Sequence, residues 1–361
     1  NCILNRFWRL SVLIDYLLRR VVRLKQAAYE EVQVIKILIV ALLISVLRII
    51  PASANDVILK TGIDEVIALF EAEDWWGEEQ RGQQLKVPRI MLTEITTRWQ
   101  IASLDMHVPQ KKELFYRGVL PLVVHANDMI LDRRQRLKLI NRELEAGNDI
   151  DEDNQAFLEA VAKTLRISKT SPQALIDEAL YRLDIIPAGL ALGQAAYESG
   201  YGSSRFAVQG NALFGQWTFG GEGLVPEQQR QSLGDHRIAS YRWPFDSVRA
   251  YMINLNSHPA YEPLRKIRAE LRAAGKPITS LALADGLSSY SERGDSYVET
   301  LKGIIRVNKL DLADGAVFRD EQARFLIVTD SVEETNALRI RLAEMRNNGA
   351  LDQIYQEMRL E

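Results

Sequence analysis

The sequence predicts a mainly α protein with one small β-hairpin lobe, and three observations carry that reading. Apolar residues recur at three- and four-residue spacing through much of the chain after Val57, the pattern of helices with one buried face. That periodicity disappears between Phe214 and Tyr241, where glycines cluster at 220, 221, 223 and 234. The composition, 47% hydrophobic and 26% charged over 361 residues, is that of an ordinary globular protein with room for two domains or one with long extensions.

Residues 1–54 read as an N-terminal extension and signal peptide. Ile37 to Leu47 is apolar, with Lys36 before it and Ala52-Ser-Ala54 after it. A basic flank, a short apolar core and a small-residue cleavage site are the layout of a secretory signal. Asn55 is then the expected mature N-terminus, and the product is expected to be periplasmic or secreted. The run is short for a spanning helix, and an uncleaved segment would instead give a transient membrane contact.

Residues 55–150 predict a helical N-terminal region. Leu114, Val119, Leu122 and Val123 form one stripe, and Ile130, Leu137 and Ile140 continue it. Pro88, Pro109 and Pro121 mark helix starts or kinks. Trp75-Trp76 offers either a sugar-stacking surface or an anchor between domains. Glu145 to Asp153 is acidic and turn-rich, so residues 151–170 are assigned to a linker and connecting helix.

Residues 171–315 form the next unit. Ser171-Pro172 supplies an N-cap and a first-turn proline, and Leu175, Ala179, Leu180 and Leu183 give that helix its apolar face. A second helix follows Pro187. Leu224-Val225 and Ile238 to Trp243 can pair across Gly234-Asp235 as a hairpin. Asp246 is expected to cap a helix carrying Val248, Tyr251, Met252 and Leu255. Pro259 starts another that ends at Gly275, and Thr279 and Asp295 cap the last two. Residues 316–361 read as a strand, Phe325 to Val328, and a charged helix from Glu333 to Leu360.

Several functions are excluded on composition. A single cysteine, Cys2, rules out a disulfide framework and a cysteine-rich zinc site. The histidines at 107, 125, 236 and 258 form no HExxH-like pair, so no metal and no cofactor is expected. Residues 1–54 carry eight Lys or Arg and three Asp or Glu, which leaves the remainder at net −8 and argues against a nucleic-acid partner.

The stretch Ala191-Leu-Gly-Gln-Ala-Ala-Tyr-Glu198-Ser-Gly-Tyr-Gly202 carries the chemistry. Ala191, Gly193, Ala195 and Ala196 leave room for another element to approach, and Gly200 and Gly202 stop the helix. Glu198 therefore sits at a helix C-terminus beside an open turn, where the dipole raises its proton affinity, as suits a general acid. A solvated glutamate before a glycine cap is the bland alternative. Ser199 has no evident histidine base, so acyl transfer has no support.

Asn211-Ala-Leu-Phe-Gly215 follows, then Trp217 and Phe219, and later Tyr290-Ser-Glu-Arg-Gly-Asp-Ser-Tyr297. These three ordered blocks resemble the peptidoglycan endo-β-N-acetylglucosaminidase family, FlgJ-type, over about residues 171–310. Ser203-Ser-Arg205-Phe-Ala and Gly215-Gln-Trp217 look most like its Bax branch. A weaker likeness to that branch's N-terminal region covers Val87 to Leu137. The resemblance implies a lysozyme-like domain that hydrolyses the β-1,4 bond after N-acetylglucosamine in peptidoglycan glycan strands.

In that frame Glu198 is the general acid. A second carboxylate could come from Glu222, Glu227 or Asp235, with Glu227 ranked first, or the substrate's own 2-acetamido group could replace it. Tyr290 matches the family's functional tyrosine and would position that acetamido group, whereas Tyr297 reads as packing. Asn211, Phe214, Trp217, Trp243 and Tyr201 are the candidate substrate-binding residues, the aromatic ones by stacking on sugar rings. The rival readings are a lytic transglycosylase using the same glutamate and a non-catalytic peptidoglycan-binding protein.

Overall fold

Helix-forming sequence dominates, and two apolar cores organise it. The computed structural model describes residues 57–73, 84–169, 171–218, 223–225 and 237–350, with 353 and 356. The expected signal segment, Trp75-Trp76 and the last part of the expected C-terminal helix lie outside the described residues. In chain order, β1 (Val57–Thr61) and α1 (Gly62–Glu73) are followed by β2 (Lys86–Val87), β3 (Ile90–Leu92), α2 (Thr97–Asp105) and α3 (Val108–Glu145). Then come α4 (Glu152–Leu165), α5 (Pro172–Arg182), α6 (Ala188–Ser199) and α7 (Arg205–Gly210). The β lobe is β4 (Trp217–Thr218), β5 (Gly223–Leu224) and β6 (Arg237–Ala239). Helices α8 (Pro244–Ser257), α9 (Glu262–Ala273), α10 (Ser280–Ala284) and α11 (Asp295–Val307) lead to β7 (Val317–Phe318), β8 (Arg324–Thr329) and α12 (Val332–Asn347).

The long helix α3 joins the two cores. Pro109 lies in its first turn, where a missing N–H costs nothing, and Pro121 sits inside a helix that continues past it. Leu114 through Val124 are buried without a break, because α3 packs on β3, α5, α6 and α8 rather than on one neighbour. Segment 145–153 forms the turn between α3 and α4, and Asp151 caps α4 by accepting from the Asn154 N–H at 2.7 Å.

The N-terminal region is not purely helical, and here the sequence reading is corrected. β1 and β3 flank β8 in a three-stranded parallel sheet, with Val57 and Met91 both in register with Phe325. Parallel strands buried against helices lack the alternation that reveals a half-exposed strand. Their partner also lies more than two hundred residues further on, so nothing local signals them. Val66, Phe70, Ile90, Leu114 and Leu326 form the core under this sheet. Glu73 pins α1 to the sheet through Arg319 at 2.8 Å and Arg324 at 2.9 Å.

The expected hairpin pairing is present. Leu224 and Ile238 are in antiparallel register, and β4 adds an unanticipated third strand on the other side of β6, with Trp217 opposite Ile238. Strand β6 ends at Ala239, so Trp243 is not part of it; Trp243 is the N-cap residue of α8. Asp246 acts from inside that helix, accepting from the Trp243 N–H at 3.3 Å.

The second core surrounds α6. Gly189 and Gly193 permit close approach: a Cβ on Gly189 would lie 2.4 Å from the Leu310 carbonyl oxygen, and one on Gly193 3.1 Å from Leu301 Cδ1. Asp314 accepts from Gly189 N at 3.0 Å and from Ser280 N at 2.7 Å, joining the N-termini of α6 and α10. Burial nevertheless pushes its carboxyl up to about 6. The approach to α6 is held by Asp184, 2% exposed and bidentate with Arg272 at 2.7 and 2.9 Å. Arg268, 1% exposed, donates to the Arg182, Asp184 and Ile185 carbonyls.

Two glycine substitutions should therefore differ in sign. Gly189→Ala drives a methyl into backbone and is expected to cost about 2–3 kcal/mol. Gly303→Ala, in α11 with nothing within 4 Å of a new Cβ, is expected to gain about 0.5–1 kcal/mol. Urea denaturation of both variants checks the contrast.

Candidate active site

Glu198 occupies the last turn of α6, one residue before the chain reverses hand. Gly200, Tyr201 and Gly202 have φ of 58°, 59° and 75°, three left-handed residues in a row. The glycines take that conformation freely, whereas at Tyr201 it costs roughly 1–2 kcal/mol. The N-terminal region compensates. Trp99 Nε1 donates to the Tyr201 carbonyl at 2.9 Å, and Gln100 Nε2 to the Ser203 carbonyl at 2.9 Å. The Tyr201 ring packs edge-on against Phe115 and Tyr116 of α3. Ser199, fully buried, stitches the same turn by donating to the Ala195 carbonyl and accepting from Gly202 N at 2.8 Å.

The carboxylate is half-buried in a cage of phenols. Tyr297 Oη donates to Glu198 Oε1 at 3.0 Å. Its own acceptor position is filled by Gln194 Nε2 at 2.9 Å, and Tyr251 Oη donates to Gln194 Oε1 at 2.6 Å. The amide can only donate from nitrogen, so the chain runs one way, from Tyr251 through Gln194 and Tyr297 to Glu198. Gln194 is one helical turn before Glu198 and lies on the same face of α6. Oε1 is thereby held as an acceptor, which leaves the acidic proton to Oε2. That oxygen faces Gly215, where even a Cβ would lie 3.8 Å away, so the glycine keeps the approach open. Burial raises the Glu198 carboxyl above its ordinary range, and the Tyr297 hydrogen bond pulls it part of the way back. Desolvation therefore supplies the raised proton affinity that the sequence reading attributed to the helix dipole.

The other expected residues fall into four groups. Tyr290 stands in the cage, its ring stacked on Tyr297 with centroids 5.6 Å apart, but its hydroxyl is committed to the Phe214 carbonyl at 3.1 Å. Phe214 is 2% exposed and stacked on Tyr251 at 4.0 Å, so it is a wall of the cage and not a sugar platform. Tyr201 turns its ring into the N-terminal region, as described above. Asn211 takes φ 50° at the end of α7 and bonds backbone only: it accepts from Ile95 N at 3.1 Å and donates to the Tyr241 and Arg242 carbonyls at 3.2 and 3.1 Å. These contacts make it a tie between the N-terminal region and the β lobe. Trp217 is 51% exposed on β4, the most open of the expected aromatics, and Trp243 is half-buried beneath the Arg242 guanidinium. Glu222, Glu227 and Asp235 lie outside the described residues.

Tyr297, Gln194 and Tyr251 form the hydrogen-bonded chain to Glu198 that the sequence reading does not include. The signal for Gln194 was available in its four-residue spacing from Glu198. Nothing local distinguishes a core tyrosine from a hydrogen-bond partner, which is why Tyr297 reads as packing in the sequence. Among the described residues no group of His, Cys, Asp and Glu could hold a metal ion.

Comparison with known proteins bears on this geometry. The family model described as mannosyl-glycoprotein endo-beta-N-acetylglucosaminidase matches residues 173–310, a span that includes α6, the β lobe and the Tyr290–Tyr297 block. Protein bax of Escherichia coli (strain K12) is 32% identical over 201 residues, covering 55% of this chain and 70% of that protein. No solved structure matches.

The raised carboxyl has a consequence for stability. The folded protein holds the Glu198 proton where the unfolded chain has released it. That contribution is full below the unfolded pKa and is lost as pH rises through the native one. Glu198→Gln removes the loss, so the variant should melt at or above the wild-type temperature at neutral pH. The difference should close below about pH 4. Melting curves at the two pH values decide it, and a strongly destabilised variant at neutral pH would contradict the assignment.

Proposed function

Because the chain belongs to the glucosaminidase family as a Bax-like member, we propose that it hydrolyses the β-1,4 bond after N-acetylglucosamine in peptidoglycan, with Glu198 as general acid. The observation that carries this reading is the oriented, desolvated carboxyl at the end of α6. Glycosidic cleavage requires a proton on the leaving oxygen and stabilisation of an oxocarbenium-like centre. The Tyr297 bond fixes the carboxyl plane and presents Oε2 at the glycine-lined opening, so the proton is delivered from a defined position. Tyr290 acts through its neighbours, holding the Tyr297 ring and the Phe214 backbone in place. The substrate's 2-acetamido oxygen displaces the leaving sugar from the anomeric carbon as Glu198 protonates that sugar's oxygen, and water, giving a proton back to Glu198, then opens the cyclic intermediate to N-acetylglucosamine; Glu227 supports the charge that develops. Trp217 offers the sugar-stacking face. The same reading places the enzyme outside the cytoplasm, where its glycan is found.

Digestion of purified sacculi with mass spectrometry of the products is the test. Hydrolysis leaves a reducing-end N-acetylglucosamine, whereas a lytic transglycosylase leaves a 1,6-anhydro product, and either result without the other is decisive. Glu198→Gln should lose about 10²-fold or more in turnover, and Glu227→Gln should lose less. Undiminished turnover by Glu198→Gln would remove that residue from the mechanism.

Tyr297→Phe should lower kcat with little change in KM and move the pH profile. The lost hydrogen bond had favoured the charged carboxylate, so Glu198 should hold its proton to higher pH. A general acid works only when protonated, so the alkaline limb should shift upward. A profile that does not move would leave Tyr297 a purely structural role.

A further inference from the structure

A second concave site lies between α3, α4 and α8, on residues that the chemistry at Glu198 does not use. Its volume is about 600 Å³, and Ile130, Val161 and Met252 form an apolar floor. Arg133 stands half-buried in its wall and, among the described residues, makes no hydrogen bond or ion pair. Burial opposes its charge, and the Arg249 charge opposes it further. Arg249 itself reaches only one carboxylate, Asp246, at 3.5 Å. Arg249 is thus shared with Asp246, which leaves Arg133 as the half-buried guanidinium of the cleft wall that no described carboxylate pairs. The guanidinium fork matches a carboxylate in a bidentate manner. Asp132, exposed and adjacent to Arg133 in sequence, also lines the cleft and carries the opposite charge.

We propose that this cleft binds a short peptide with a free C-terminal carboxylate. The carboxylate sits on Arg133 and Arg249, small apolar side chains lie on the floor, and the amino end points toward Asp132. A volume of this size suits a ligand of a few residues. Peptide binding here is separate from bond cleavage at Glu198; only the identification of the ligand with the peptides that peptidoglycan carries rests on the glycan reading.

The probes are trialanine, trialanine C-terminal amide and octanoate, titrated calorimetrically into the full chain. Trialanine should bind saturably, with the amide about tenfold weaker or more and octanoate weaker than trialanine. Arg133→Gln should melt like the wild type and bind trialanine about tenfold less tightly; Arg249→Gln serves the same purpose if that variant fails to fold. Glu198→Gln should bind trialanine like the wild type, so loss of hydrolysis and loss of peptide binding are read independently. Absence of trialanine binding, equal binding of acid and amide, tighter binding of octanoate, or unchanged affinity in a folded arginine variant would each overturn the proposal.

Discussion

Keeping one carboxyl half-buried among phenols, at the end of a helix that is itself enclosed, is the constraint around which the described residues are arranged. Enclosure explains why α6 is built from alanine, glycine and leucine, with Gly189 and Gly193 where Leu310 and α11 press closest. Enclosure also leaves the polar groups at both ends of α6 to be satisfied by protein. Asp314 accepts from its first turn, and Ser199 and the left-handed turn close its last one. The phenols that desolvate Glu198 bring their own hydroxyls into the interior. Each of those described here is paired: Tyr251 with Gln194, Tyr297 with Gln194 and Glu198, and Tyr290 with a backbone carbonyl. A buried polar chain of this kind is rigid because a rotation at any member would strand a donor or an acceptor.

The N-terminal region belongs to this arrangement and does not sit apart from it. α2 contributes Trp99 and Gln100 to the turn after Glu198, the segment before it contributes Ile95 N to Asn211, and α3 contributes Phe115 and Tyr116 to Tyr201. Space confirms the closeness: a Cβ on Gly202 would meet Trp99 Nε1 at 3.1 Å and the Phe115 ring at 3.3 Å. The strained tyrosine is thus held from outside the segment that carries Glu198, which is how a locally unfavourable backbone persists.

Much of this was legible in the sequence, where the signal was local. The small-residue helix and its glycine stop and the Ser171-Pro172 start depend on neighbours within a few residues, the pairing of Leu224 with Ile238 spans a short segment, and the strand at Phe325 shows in its own apolar run. What was not legible depends on distant partners. β1 and β3 are strands because of β8, and Tyr297 matters because of a glutamate 99 residues earlier. Asn211 and Phe214 show the opposite error. Both lie in a recognisable block, but their side chains serve the frame that surrounds the site, and sequence alone cannot separate residues that touch a substrate from those that hold the ones that do.

The parallel sheet has a consequence for how the chain comes into being. Its middle strand, β8, is made more than two hundred residues after the edge strand β3. At about 5–20 residues per second the ribosome would take roughly 10–50 seconds to cover that interval. During that time β1 and β3 have no partner between them, and the apolar underside of α1 has no sheet to rest on. The clamp on the turn after Glu198 comes from this same region. The backbone around Glu198 is therefore expected to reach its final form only after β8 has been made.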